Sequence, residues 1–196
     1  MKQPYVFNIG FNRSGTSSLS RALNILDIRT AHYTVDGSGW LPLMKHTKQL
    51  DFFLQRNMKQ NNRLFHKLDK RFKGFSDFGG EYYYRTLYRQ YPNSKFIFTL
   101  RPIEDWIKSN VWMEKIDHKK DHYDTEAGEQ QRILTLADHY LNYKKEIQEF
   151  FKDKPNQYLE MNICNGDGWQ KLCNFLEKEI PEISFPYLNK QYLTEK

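Results

Sequence analysis

The residues from Tyr5 to Leu26 constrain the fold more than any other part of the chain. A short apolar, partly β-branched run, Tyr5 to Ile9 (YVFNI), stops at Gly10, and Gly15 follows five residues later. From Ser17 onward Leu19, Ala22, Leu23 and Leu26 recur at helical spacing until Asp27 closes the run. A buried parallel strand that feeds a tight turn and then a helix reads this way. Successive backbone N–H groups in such a turn, with the amino terminus of the helix behind them, make a cradle for an anion that needs no particular side chain.

The rest of the chain repeats the alternation. Between Trp40 and Lys73 it is polar and lysine-rich, yet Leu50, Phe53, Leu54, Met58, Leu64 and Leu68 keep a helical rhythm that predicts one or two amphipathic helices. A second strand is expected at Lys73 to Ser76 (KGFS), ending at Asp77, before a helix through Tyr84, Leu87, Tyr88 and Tyr91 that Pro92 terminates. Lys95 to Leu100 (KFIFTL) is the clearest strand; Arg101-Pro102 ends it, and Ile103, Trp106, Ile107 and Asn110 predict the helix that follows. Gly128 to Phe151 reads as a long amphipathic helix through Ile133, Leu134, Ala137, Leu141, Ile147 and Phe150. Asn156 to Ile163 (NQYLEMNI) reads as a fourth strand, and a helix from Gly168 to Glu179 precedes a proline-punctuated tail. Strands alternating with helices imply a three-layer α/β fold, a mainly parallel central sheet flanked by helices, with its ligand at the carboxyl ends of the strands. A chain of 196 residues, 39% of them hydrophobic, suits one core, so residues 1–196 are expected to form a single domain.

The formal charge of +6 calls for an anionic partner: nucleotide, nucleic acid or sulfated sugar. Aromatics interleaved with Lys and Arg raise nucleic-acid binding, but no RNA- or DNA-recognition motif is present and none is expected to bind. Cys164 and Cys173, nine apart, match neither a redox C-x-x-C nor a zinc pattern, so they are expected to be buried free thiols in a reducing compartment. The amino terminus MKQPYVFNIG has too short an apolar part for a signal peptide, and no stretch approaches the roughly 20 apolar residues of a membrane span. The expected setting is cytoplasmic, with no membrane span.

The turn NIGFNRSGTSSL nearly spells the P-loop of a nucleoside triphosphatase, in which a lysine just after the second glycine reaches the β and γ phosphates. Thr16 stands there instead. Such enzymes also place an acidic residue at the end of a hydrophobic strand to organise magnesium, whereas the strand KFIFTL ends in Arg101. Arg13 in the turn and Arg101 at the strand end therefore converge on an anion neutralised by protein cations rather than by a metal.

GFNRSGTSSL resembles the 5'-phosphosulfate-binding loop of the P-loop sulfotransferases, a basic residue followed by S/T-G-T-T/S, with Arg13 in place of the commoner lysine. That family also carries a 3'-phosphate-binding element, an arginine at a strand end and a serine eight residues later, matched here by Arg101 and Ser109 in RPIEDWIKS. Arg101-Pro102, Trp106 and Ser109 resemble the branch with an R-x-P-x-x-W-x-x-S pattern. The tail GWQKLCNFLEKEIPEISFPYLN is similar to its G-W-x-x-L-C-x-F-L-G-x-x-I-P-x-x-P-F-P-x-x-N ending, with Glu177 for a glycine and Ser184 for a proline. The resemblance is weakest over residues 36–72 and 111–130.

The resemblance implies transfer of a sulfuryl group from 3'-phosphoadenosine 5'-phosphosulfate to an acceptor hydroxyl or amine, without a metal, leaving adenosine 3',5'-bisphosphate. Arg13 with Ser14, Gly15, Thr16, Ser17 and Ser18 would hold the 5'-phosphate and the leaving oxygen, and Arg101 and Ser109 the 3'-phosphate. For the general base, Asp77 at the end of the second strand comes first, in a segment SDFGG resembling the family's D-x-P with Gly79 for the proline, and His32 in RTAHY is the alternative. His118 and His122 in DHKKDH have helical metal-ligand spacing, but a solvated charged segment explains them. The acceptor, whether carbohydrate, small alcohol or phenol, or peptide, is expected to sit among the loops between Asp36 and Lys73 and between Val111 and Gly128. Two other functions share the turn: a magnesium-dependent nucleotide kinase, and a non-catalytic nucleotide-binding module.

Overall fold

The computed structural model describes residues 4–32, 47–116 and 125–188. Within them a five-stranded sheet runs in the order β2-β3-β1-β4-β5, formed by β1 (Val6–Asn8), β2 (Thr30–His32), β3 (Gly74–Ser76), β4 (Lys95–Thr99) and β5 (Tyr158–Met161). Every pairing is parallel, and Phe7 lies beside Phe75 on one side and Phe96 on the other. The mainly parallel three-layer α/β fold expected from the sequence is the fold observed.

Pleating sends alternate side chains to opposite faces. On one face Val6, Ile97 and Met161 pack against α1 (Thr16–Ile25) through Leu19, Ala22 and Leu23, and against α6 (Trp169–Leu176) through Leu172 and Cys173. On the other, Phe7, Phe75, Phe96 and Phe98 meet α2 (Thr47–Lys59), α3 (Gly80–Gln90), α4 (Ile103–Ile116) and α5 (Glu126–Phe151). That face is strongly aromatic: Phe7 stacks on Phe65 and Phe75 at centroid distances of 5.9 and 5.6 Å, and Phe65 on Phe75 at 3.9 Å. Arg132 on α5 forms an ion pair with Glu114 that ties α5 to α4.

Three sequence expectations are corrected here. Thr30–His32 is a strand that the sequence reading missed: three residues beside Arg29 give no alternation to detect, yet all three are buried against β3. The inward stripe of α5 is Leu136, Tyr140, Tyr143, Ile147 and Phe151, while Leu134 and Leu141 are 54% and 56% exposed. Tyrosines set this phase because their rings fill the core and their hydroxyls reach backbone carbonyls, Tyr140 donating to Arg101 O at 2.7 Å and Tyr143 to Ile9 O at 2.8 Å. Cys164 is exposed rather than buried, whereas Cys173 is buried, and both are free thiols. No helix among the described residues is long and apolar enough to cross a membrane.

Candidate functional site

The site lies at the carboxyl ends of β3, β1 and β4, the three central strands. From β1 the chain runs to β2 and β3 on one side and then crosses to β4 and β5 on the other, which makes the carboxyl end of β1 the crevice where open α/β sheets take their ligands. Asn8, the last residue of β1 and 1% exposed, joins the three strand ends. Its amide Nδ2 donates to Ser76 Oγ at 3.1 Å, and its Oδ1 accepts from the Gly10 N–H at 2.9 Å and from Thr99 Oγ1 at 3.2 Å. The sequence reading took Asn8 as part of the strand and missed this role; no periodicity marks it.

The turn itself is held by backbone geometry. A Cβ at Gly10 would come within 2.6 and 2.7 Å of the Thr99 carbonyl oxygen and amide nitrogen, and closer still to Thr99 Oγ1, so only glycine lets the loop cross β4 here. Arg13 and Gly15 take left-handed conformations, φ 64° and 95°, which is the alternation that points successive N–H groups into a concave nest. Ser14, fully buried, hydrogen-bonds Thr99 Oγ1 at 2.7 Å and the Phe11 carbonyl. Its hydroxyl builds the turn. Thr16 is buried in the first turn of α1, Ser17 is half-buried beside it, and the Ser18 hydroxyl accepts from the Leu188 N–H at 2.9 Å. The first N–H groups of α1 have no partner within the helix, which leaves them for an anion.

Three bonds fasten α4 and the loop ahead of it to the turn. Arg101 donates to the Arg13 carbonyl at 3.2 Å, Trp106 Nε1 to the Asn12 carbonyl at 2.9 Å, and Arg13 Nε to Ser109 Oγ at 2.9 Å. The two elements that the sequence paired, Arg13 with its loop and Arg101 with Ser109, are thus one structure. Pro102 directly follows Arg101, one position earlier than in the R-x-P pattern. The tail packs on the α1 and α6 face: Trp169 Nε1 donates to the Ile183 carbonyl at 2.6 Å and its ring meets Phe185 edge-on at 4.9 Å.

Asp77 follows β3 directly, at φ 60°. It caps no helix, since the N-cap of α3 is Gly79 and no side chain bonds to that end. Burial, reinforced by repulsion from Glu81 and opposed by attraction to Arg13, raises its pKa from 3.8 to about 7. That places Asp77 within electrostatic reach of the arginine in the turn, and poised to exchange a proton near neutrality. Burial also pushes the Glu81 carboxyl up. His32 lies on the edge strand, 5% exposed and in register with Ser76, two strands from the turn. His118, His122 and residues 36–46 and 117–124 of the two loops expected to shape the acceptor site lie outside the described residues.

An open groove of about 370 Å³ borders this centre, lined by Glu81 and Tyr82 of α3 and by Thr135, Asp138, His139, Asn142, Tyr143 and Glu146 of α5. Glu81 and His139 escaped the sequence reading; the one available signal was a second carboxylate four residues after Asp77, beyond the paired glycines. The family model described as "Sulfotransferase domain" matches residues 5–119 and 110–192, nearly the whole chain. No curated protein matches it.

Proposed function

The chain belongs to the sulfotransferase-domain family, and from that premise we propose that it transfers the sulfuryl group of 3'-phosphoadenosine 5'-phosphosulfate to an acceptor hydroxyl or amine. The observation that carries the reading is the Arg13 to Ser109 hydrogen bond, which joins two anion-binding elements far apart in sequence into one site. A donor with phosphates at both its 5' and 3' ends needs two such elements, and a nucleoside triphosphate does not. The residues fit it: the nest at Arg13 to Gly15 and the amino terminus of α1 suit the 5' end, while Arg101 and Ser109 suit the 3'-phosphate.

The donor supplies an activated sulfuryl group; the chain positions, neutralises and moves a proton. Arg13 and the backbone N–H groups of the turn stabilise negative charge growing on the leaving oxygen, a fixed positive field that needs no rearrangement during reaction. By analogy with phosphoryl transfer, a loose transition state leaves most of the work to such positioning. Two arginines do the neutralising, so the proposed reaction needs no metal. Asp77 takes the acceptor proton, with His32 the alternative base. Its raised pKa keeps the carboxylate basic enough to do so and still ionised in part near neutrality.

The test is transfer itself. The chain is incubated in EDTA with donor labelled in its sulfuryl group and a panel of carbohydrates, phenols and amines. The expected result is label in at least one acceptor, with adenosine 3',5'-bisphosphate formed in equal amount. Phosphate transfer from ATP that requires magnesium would make the chain a kinase. Bisphosphate binding without transfer to any acceptor class would leave it a binding module.

A further inference from the structure

The groove between α3 and α5 differs in charge from everything else at the site. Its lining holds three carboxyl groups, Glu81, Asp138 and Glu146, with the neutral polar side chains of Tyr82, Thr135 and Asn142, and among the described residues no lysine or arginine lines it. This occurs in a chain of net charge +6, next to a cradle built on two arginines. The site is therefore polar in the electrical sense: cations at the donor end and carboxylates at the other.

The groove adjoins the turn through side chains that belong to both. Tyr143, in its wall, donates to the carbonyl of Ile9, the first residue of the turn, at 2.8 Å. Phe11 of the turn packs against His139 and Tyr143 with centroids 5.1 and 5.0 Å away. Glu81 faces the groove and its charge also raises the Asp77 pKa. A molecule in the groove would lie against Tyr143 and His139, the side chains that touch the turn, and against Glu81, whose charge acts on Asp77. The volume, about 370 Å³, suits a ligand of monosaccharide or arylamine size.

We propose that this groove is the acceptor subsite and that it selects a small acceptor carrying an ammonium group beside its nucleophilic hydroxyl. The proposal rests on the donor reading above. Asp138 and Glu81 are the carboxyls that meet the ammonium group, because Glu146 already accepts hydrogen bonds from Tyr84 and from Arg85, the latter at 2.9 Å. His139 also lines the groove; burial first and then the charge of Arg132 lower its pKa, while Asp138 acts in the opposite direction. Acceptors that are themselves anionic are repelled. In the transfer, the acceptor oxygen forms a bond to sulfur as the bond from sulfur to the 5'-phosphate oxygen breaks. The acceptor proton goes to Asp77, and adenosine 3',5'-bisphosphate leaves with the bonding electron pair.

Two matched pairs test this: tyramine against 4-hydroxyphenylacetamide, and glucosamine against N-acetylglucosamine. Binding of each to the protein saturated with adenosine 3',5'-bisphosphate is measured by calorimetry, and transfer from labelled donor is measured beside it. The amine should be preferred roughly tenfold within at least one pair, as expected for a partly exposed charge contact beside a polar wall. Asp138→Asn should reduce that preference to within roughly twofold, and Asp138→Lys should reverse it. Asp138 is exposed, so neither change threatens folding, and bisphosphate affinity should not move. If the bisphosphate binds but the amines show no advantage, or Asp138→Asn leaves the advantage intact, the subsite assignment is overturned while the donor reading stands. If the bisphosphate fails to bind, the donor reading falls and this proposal falls with it.

Discussion

Replacing Asp77 with asparagine should make the protein more stable and less active, in amounts that both depend on pH. Asp77 is half-buried, and its pKa rises from 3.8 to about 7 on folding. The sign follows from proton binding. Between pH 4 and pH 7 the folded chain holds this proton and the unfolded chain does not, so stability falls as pH rises through that window. At about 1.4 kcal/mol per pH unit, the full rise corresponds to about 4 kcal/mol, present below the unfolded pKa and lost by pH 8. Asparagine fills the same space and carries no charge at any pH. Urea unfolding of the two proteins, compared at pH 5 and pH 8, should therefore show the variant gaining on the wild type by about 3 kcal/mol between the two conditions. In the same preparations sulfuryl transfer should fall about 10² to 10⁴-fold, the contribution of a general base, and the rise of the wild-type rate with pH up to about 7 should vanish. A stability difference that stays constant from pH 5 to pH 8 would refute the reasoning about burial. An unchanged rate would remove Asp77 from the chemistry and leave His32 as the base.

Other expected outcomes concern the scaffold. Asn8→Ala removes three hydrogen bonds at a site 1% exposed and should cost about 3 kcal/mol, read as a lower urea midpoint, with weakened bisphosphate binding because the turn loses its anchor. Gly10→Ala pushes a methyl group into the Thr99 backbone and should abolish bisphosphate binding even where circular dichroism shows the helices intact. Glu177 ends α6 in a left-handed conformation, φ 55°, while the Lys178 N–H bonds to the Cys173 carbonyl. Glu177→Gly should therefore stabilise the protein by about 1 kcal/mol, raising the melting temperature by about 2–4 °C.

The elements most legible in the sequence were those whose signal is local. KFIFTL, the Gly10 to Gly15 turn and the helix after it each carry their own pattern, and β4 and α1 form where those patterns lie. Parallel order follows from alternation alone, because a helix between strands forces the next strand to run the same way. What was hidden depends on partners distant in the chain. Thr30–His32 is a strand only because β3 lies alongside it, and the phase of α5 is set by two tyrosine hydroxyls that find carbonyls 39 and 134 residues away. At the site, Arg13, Arg101 and Ser109 were readable as a pattern, whereas Asn8, Glu81 and His139 have meaning only through what surrounds them. Glu177 shows the reverse case: the resemblance drawn from the sequence has a glycine there, and the observed left-handed backbone is one that favours glycine.

The donor assignment is tested most directly by thermal unfolding of the wild type and of Arg101→Ala with adenosine 3',5'-bisphosphate, and separately with ATP and magnesium. At about 100 times its dissociation constant a ligand adds about 2.7 kcal/mol, which is visible as a clear rise in melting temperature. The bisphosphate should stabilise the wild type, ATP with magnesium should do far less, and Arg101→Ala should lose most of the bisphosphate effect. Stabilisation by ATP with magnesium instead, or a bisphosphate effect untouched by Arg101→Ala, would contradict the account.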